Sequence, residues 1–483
     1  LKNARSKAHR AYLHSYDMLG EAALTGADAE RYFKAYQDAI GAIGAAVRAD
    51  AAFAAAPIYG RPNISVKLSA LHPRYELSHR ERVLAELTPK VLALAQQAKL
   101  EGIGITIDAE EADRLELSLD LIEAVFADAS LDGYEGFGLA VQAFQKRGLA
   151  VIEWLEALAQ KVGRKLAVRL VKGAYWDTEV KRSQEQGLAG YPVFTRKANT
   201  DVAYLACARR LIARRDLFYP MLATHNAHTV AQVRAYAEMT DGGYAPGHHY
   251  EFQRLHGMGE ALYEVVKQDL PIPCRVYSPV GSHEDLLPYL VRRLLENGAN
   301  TSFVNRIFDE NTPPEALVAD PIAAVRAMTV KVNPQLPLPA ELFGAERRNS
   351  AGLFLSSEPD LIALGRQLGS AMPTTTVRSL TVSEAMPGET QAITDPADRR
   401  RKLGQWTALH ATAALQLLAD ARAAQPRWNA TAADSRAAAL ERAADRLESA
   451  PAVFLHLLVR EAGKTLGDAN AEVREAVDFL RYY

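Results

Sequence analysis

Cysteine is nearly absent from this chain. Cys207 and Cys274 are the only two among 483 residues, too few for a disulfide framework or a cysteine-rich metal site. That fits a reducing compartment. No apolar run approaches the ~20 residues of a membrane span. The first residues carry no apolar signal-peptide core. Charge of one sign is also missing. The formal net charge is −2, so no global basic field draws in nucleic acid. Lys2, Arg5, Lys7 and Arg10 make a basic start too short to signal DNA binding. No G-x-G-x-x-G follows any strand pattern, which argues against an open dinucleotide-binding sheet. An initiator Met is lacking too, so the chain reads as cut from something longer.

What is present is ordinary globular composition, 48% hydrophobic and 24% charged, at a length that holds two or more cored domains. Residues 1–55 read as helical and Ala-rich, with 15–24 their most distinctive stretch. From about residue 58 short β-rich runs alternate with helical patterns, the signature of βα units and a parallel sheet. Strands are expected at 64–68, 104–108, 138–142, 166–172, 220–225, 249–253 and 273–277. That makes seven; an eighth, needed to close a barrel, has no evident place.

Polar residues cluster where those strands end. Lys67, Asp108, Gln142, Lys172, His225, Gln253 and Tyr277 all stand at or near a strand's C-terminal end, the active-site face of a (β/α)8 barrel. One such residue is ordinarily a strand end meeting solvent; seven together are not. Lys67 and Asp108 end neighbouring strands and can pair, holding the ammonium charged toward an anion. Past the last strand, Tyr289, Arg292, Arg293 and Glu296 fall at i, i+3, i+4 and i+7 of an amphipathic helix. Adjacent arginines usually mark a solvated face, but two planar guanidinium forks also suit a carboxylate.

Beyond about 309 the pattern loosens into Pro-rich stretches at 313–314 and 334–339. A strand-like run at 374–381 and helices at 405–421, 433–449 and 470–483 follow. The expected division is a helical segment at 1–50, a barrel at 51–320, a linking arm at 321–385, and at 386–483 the opening of an incomplete, mainly helical second domain.

Five motifs carry a resemblance: SVKLSALHPRY (65–75), RLVKGAYWD (169–177), ATHNAHT (223–229), YSPVG (277–281) and RRLLENGANTSF (292–303). Over about residues 10–320 the chain resembles the proline dehydrogenase domain of bacterial proline utilization A. The resemblance implies a distorted (β/α)8 barrel that oxidises L-proline to 1-pyrroline-5-carboxylate, the first step of proline catabolism to glutamate, with hydride passing to N5 of FAD. By motif, Arg292, Arg293 and Lys67 bind the proline carboxylate, and Asp108 positions Lys67. Tyr175, Leu255 and Tyr277 pack on the ring. Glu296 braces the arginine helix, and Glu21, in DMLGE (17–21), is the latch toward Arg292. Gln142, Arg169, Lys172, Gly173, Ala174 and Trp176 follow the flavin. Thr195, Arg196 and Lys197 suit the pyrophosphate, and His225, Asn226 and Gln253 complete the cofactor set.

The family implies a membrane quinone as electron acceptor and a cytoplasmic enzyme in peripheral contact with the membrane. The motifs PRWNATA (426–432), LLVREAGKT (457–465) and AEVREAVDFLRYY (471–483) resemble the first helices of an aldehyde dehydrogenase domain, which uses NAD to oxidise glutamate semialdehyde. The nucleotide-binding sheet and nucleophilic cysteine of that domain are not in this stretch, so NAD is expected only for the missing part. Two other readings compete. One is a barrel lyase or aldolase with Lys67 or Lys172 as Schiff-base amine, which needs a depressed lysine pKa. The other is a non-enzymatic regulator with a DNA-binding module preceding residue 1.

Overall fold

The computed structural model describes residues 12–241, 249–270, 272–281, 287, 290–291, 319–370, 375–377 and 387–483. These divide into two compact units: a barrel unit, up to Val180 and again over Tyr191–Leu336, and a second unit of Lys181–Gly190 with Pro337–Tyr483.

Eight parallel strands close the barrel in chain order. They are β1 (Leu13–Met18), β2 (Asn63–Val66), β3 (Gly104–Ile107), β4 (Phe137–Gln142), β5 (Leu166–Val171), β6 (Phe218–Ala223), β7 (Glu251–Leu255) and β8 (Cys274–Val280). Seven fall where the sequence pattern puts them. The eighth is β1, inside the segment expected to be helical. Within 1–50 the main helix is Gly26–Arg48, opened by a Thr25/Asp28 capping box. β1 escapes detection because LHSYDM has neither a β-branched run nor alternating polarity. It is a strand because β2 and β8 present open edges on either side, pairing Ser15 with Asn63 and with Tyr277.

Alternation along each strand decides what enters the lumen. Ser15 and Asp17, Ser65, Thr106, Arg169, Glu251 and Gln253, and Arg275 and Tyr277 share inward registers, and Lys67 and Asp108 stand one residue past β2 and β3. Outward residues such as Ile64, Ile105, Val168 and Phe252 are fully buried beneath the surrounding helices. Strands covered on both faces are typical of parallel barrels.

The second unit has its own core of Leu364, Leu455, Ala469 and Val473. Its helices are Glu358–Ser370, Ala411–Asn429, Ala433–Ser449, Pro451–Arg460 and Leu466–Tyr482. The helix expected from 405 begins only at Ala411, since Lys402–Leu409 (β11) is a strand. It pairs with Pro387–Thr394 (β10) on one edge and Thr375–Val377 (β9) on the other. The hydrogen bonds of that three-stranded sheet outweigh the helical propensity of 405–409. No helix among the described residues is long and apolar enough to cross a membrane.

Candidate active site

The barrel mouth holds a buried cluster built from six strands, β1, β2, β3, β5, β7 and β8. Lys67 Nζ contacts a carboxylate oxygen of Asp17 and lies 3.5 Å from Asp108 Oδ2. The expected Lys67–Asp108 pairing is therefore only the longer of two contacts. Asp17, the closer partner, comes from β1 and was missed because that strand was missed. Asp108 is engaged elsewhere: Arg169 donates to its Oδ1 at 2.6 Å and the Tyr277 hydroxyl to its Oδ2 at 2.6 Å. Arg169 also donates to Gln253 Oε1 at 2.8 Å and to Ser15 Oγ at 2.9 Å, and its guanidinium lies over the Tyr277 ring, 5.1 Å from the centroid. The Gly26–Arg48 helix joins in, as the Tyr36 hydroxyl accepts from the Lys67 backbone N–H at 3.2 Å.

Charge within this cluster follows from its neighbours. Burial works against a charged Lys67, but Tyr277, Asp17, Asp108 and Tyr36 surround it and hold its pKa well above the usual lysine range. Burial pushes the Asp17 carboxyl above its ordinary value; Lys67 pulls it back and Asp108 adds to the rise. Burial, with Asp108 and Asp17, likewise drives the Tyr277 phenol well up, so it stays protonated and donates. Lys67 is thus a fixed cation.

A second group stands past β5. Lys172 and Lys197 both bind Asp201, Lys197 Nζ at 2.6 Å. Burial alone would raise the Asp201 carboxyl, but the two lysines outweigh it and hold it below the ordinary value. Asp201 was legible as the i+4 neighbour of Lys197 on the Lys197–Ala213 helix. Thr195 Oγ1 accepts from Asn333 N at 3.0 Å, and Arg196 Nε donates to the Val332 carbonyl at 2.7 Å. Gly173 adopts φ +135°, and a Cβ there would stand 2.5 Å from the Phe144 ring, so only glycine fits.

The remaining residues frame these two groups. Gln142 Nε2 donates to the Glu110 carbonyl at 2.7 Å. His225 Nε2 accepts from the Leu255 backbone N–H at 3.0 Å, placing the ring proton on Nδ1. Asn226 caps the Ala227–Asp241 helix through bonds from His228 N at 2.9 Å and Thr229 N at 3.3 Å. Trp176 donates its indole N–H to the Phe194 carbonyl at 2.9 Å, and with Tyr175 it packs on Phe144, Val180, Tyr191 and Val193. Ala174 is half-buried beside Gly173. Glu21 is half-buried in the turn after β1, between Gly20 at φ +113° and Ala22 at φ +55°. Arg292, Arg293 and Glu296 lie outside the described residues.

Comparison with known proteins agrees with this geometry. Residues 1–306 match the family model described as proline dehydrogenase, and residues 383–483 match the aldehyde dehydrogenase family. The chain is 50% identical to the bifunctional protein PutA of Klebsiella aerogenes, over 100% of this chain and 37% of that protein. It thus spans well under half the length of the curated bifunctional PutA proteins it matches. A solved bifunctional proline utilization A structure superposes with a TM-score of 0.84 at 50% identity, covering 98% of this chain and 44% of that one. The proline utilization A of Bdellovibrio bacteriovorus matches with a TM-score of 0.84 at 26% identity, covering 100% of this chain and 50% of that one. The proline dehydrogenase model spans well over half of the 483 residues, and the chain belongs to the proline dehydrogenase family.

Proposed function

We propose that this chain oxidises L-proline to 1-pyrroline-5-carboxylate with FAD as cofactor. The observation that carries the reading is the mouth cluster: a lysine held charged between the buried carboxylate of Asp17 and the half-buried one of Asp108, at the catalytic end of a barrel of this family. Such a lysine is a permanent point charge for a substrate carboxylate. The same fact opposes the Schiff-base alternative, which needs a lysine of depressed pKa.

In this reading Lys67 binds the proline carboxylate together with Arg292 and Arg293. Asp17 and Asp108 hold the ammonium in place, and Tyr277, Tyr175 and Leu255 wall the pyrrolidine ring. Glu21 and Glu296 steady the arginines. Orientation by charge-assisted bonds is most of what such a protein contributes.

The residues present fit FAD. Lys172 and Lys197 bring two cations together at Asp201, and with Arg196 they suit a pyrophosphate. The glycine at 173 lets the chain turn past the Phe144 ring at φ +135°, where a Cβ has no room. Gln142, Arg169, His225, Asn226 and Gln253 offer polar groups to a ring edge, with Thr195, Arg196, Ala174 and Trp176 alongside. When bound, FAD supplies the acceptor for the hydride that leaves C5 of proline.

A membrane quinone as the next acceptor, a cytoplasmic enzyme in peripheral membrane contact, and an NAD-dependent second oxidation in a longer parent protein belong to the same proposal. The second oxidation is supported by the bifunctional relatives and the match at residues 383–483; the quinone, the cytoplasmic setting and the membrane contact rest on the family resemblance alone. The test is a visible spectrum. The chain is expected to be yellow and to bleach on adding L-proline under anaerobic conditions, whereas a spectrum that stays flat after FAD is supplied would sink the reading. Arg292→Met should weaken proline binding far more than flavin content.

A further inference from the structure

β7 carries a residue that none of the motifs includes. Glu251 stands two positions before Gln253, so both side chains enter the lumen, Glu251 one layer deeper. It is fully buried. Its Oε1 accepts from Arg275 Nε at 2.7 Å and from Gln253 Nε2 at 2.6 Å, and its Oε2 accepts from another Arg275 nitrogen at 2.9 Å. Arg275 is itself held by the backbone, donating to the carbonyls of Arg61 at 2.7 Å and Tyr59 at 2.8 Å. The carboxylate is thus fixed from below by a cation that has no freedom to move.

The consequence falls on Gln253. A primary amide has one donating end and one accepting end. With Nε2 taken by Glu251, Oε1 faces Arg169 Nε at 2.8 Å. Reversed, an NH2 group would meet guanidinium N–H, and Glu251 would lose its donor. Glu251 therefore sets the polarity of the amide, and the amide sets Arg169, whose other donors reach Asp108 and Ser15. From floor to mouth the lumen runs Arg275, Glu251, Gln253, Arg169, Asp108, Lys67, Asp17. Its charged members alternate, Arg275, Arg169 and Lys67 against Glu251, Asp108 and Asp17.

We infer that Glu251 is a positioning residue for the active site: through Gln253 it holds the Arg169 guanidinium in the orientation the mouth cluster requires. What the site does rests on the proline reading above; where Arg169 points does not. The competing role is purely structural, with Glu251 doing no more than neutralising Arg275.

Four variants of the FAD-loaded full chain separate the two: Glu251→Gln, Gln253→Met, their combination, and Glu251→Gln with Arg275→Met. The glutamine at 251 keeps the volume but both donates and accepts, so the Gln253 amide loses one of the two partners that fix its direction, Arg169 being the other. For Glu251→Gln we expect kcat with proline to fall about tenfold or more, a misplacement of ~1 Å costing up to about 100-fold. The oxidised flavin band should shift, and a crystal structure should show Arg169 off Asp108 or Ser15. The combination should be no worse than Gln253→Met alone, because both act on one link. The Arg275→Met partner removes the uncompensated buried cation and keeps the test alive where Glu251→Gln alone fails to fold. A Glu251→Gln protein with lower Tm but unchanged kcat, unchanged flavin band and unmoved Arg169 overturns the inference. So does a combined loss equal to the product of the single losses. A wild type that proline fails to bleach sinks the proline reading alone, since the position of Arg169 in the variant is still read crystallographically.

Discussion

Replacing Lys67 by Met removes the only cation that touches Asp17 in the described lumen. Asp17 has a side chain only 2% exposed and would face Asp108 across the vacated space. Breaking a buried pair by deleting one partner costs about 3–5 kcal/mol. For a large domain that is a fall in Tm of roughly 6 °C or more, taking ~2 °C per kcal/mol. The sign of the pH dependence follows from the surviving carboxyl. Burial already raises Asp17 above its ordinary value while Lys67 pulls it back; without Lys67 the rise is larger. The folded state then binds a proton that the unfolded state releases, so stability falls as pH climbs from the ordinary aspartate value, ~3.9, through the raised one. Lys67→Met should therefore lag the wild type most at about pH 8 and much less at about pH 5. Adding Asp17→Asn should recover most of the loss at the higher pH, since a neutral amide replaces the stranded charge. Thermal unfolding of the three proteins at both pH values measures this. An equal Tm gap at the two pH values, or a double variant no more stable than Lys67→Met, would refute the assignment of Asp17 as the main counter-charge of Lys67.

Two further outcomes follow from the group past β5. The stability that Lys172 and Lys197 lend through Asp201 is present above the ordinary aspartate pKa of ~3.9 and is lost as pH falls through the depressed folded value; acid unfolding of Asp201→Asn should lack that component. Gly173→Ala forces a Cβ against the Phe144 ring at φ +135°, so a loss of about 1–3 kcal/mol and a lower flavin content are expected from calorimetry and absorbance.

Legibility in the sequence tracked how local the cause was. Seven strands were readable because each is a short β-rich run set between helical patterns. Lys67, Asp108, Gln142, Lys172, Gln253 and Tyr277 were readable because a strand's end predicts where its side chain arrives. β1 was not readable, since its identity depends on the two strand edges it closes, and with it Asp17 and Ser15 were lost from the site. Lys402–Leu409 failed for the same reason, as pairing rather than propensity decides it. Asp201 and Glu251 needed no fold knowledge beyond an i+4 step and an i+2 step, but nothing local says that their partners matter.

The amino-acid sequence by itself determined the βα alternation, the barrel class and the inventory of charged residues at the strand ends, because periodicity and strand termini are local properties of the chain. Tertiary structure alone decided which charges meet. Lys67 belongs with Asp17, from a strand some fifty residues earlier, and Arg169 collects Asp108, Gln253 and Ser15 from three other strands. Only barrel closure brings β1 beside β2 and β8, and only burial in that lumen turns separate side chains into one charge-balanced column.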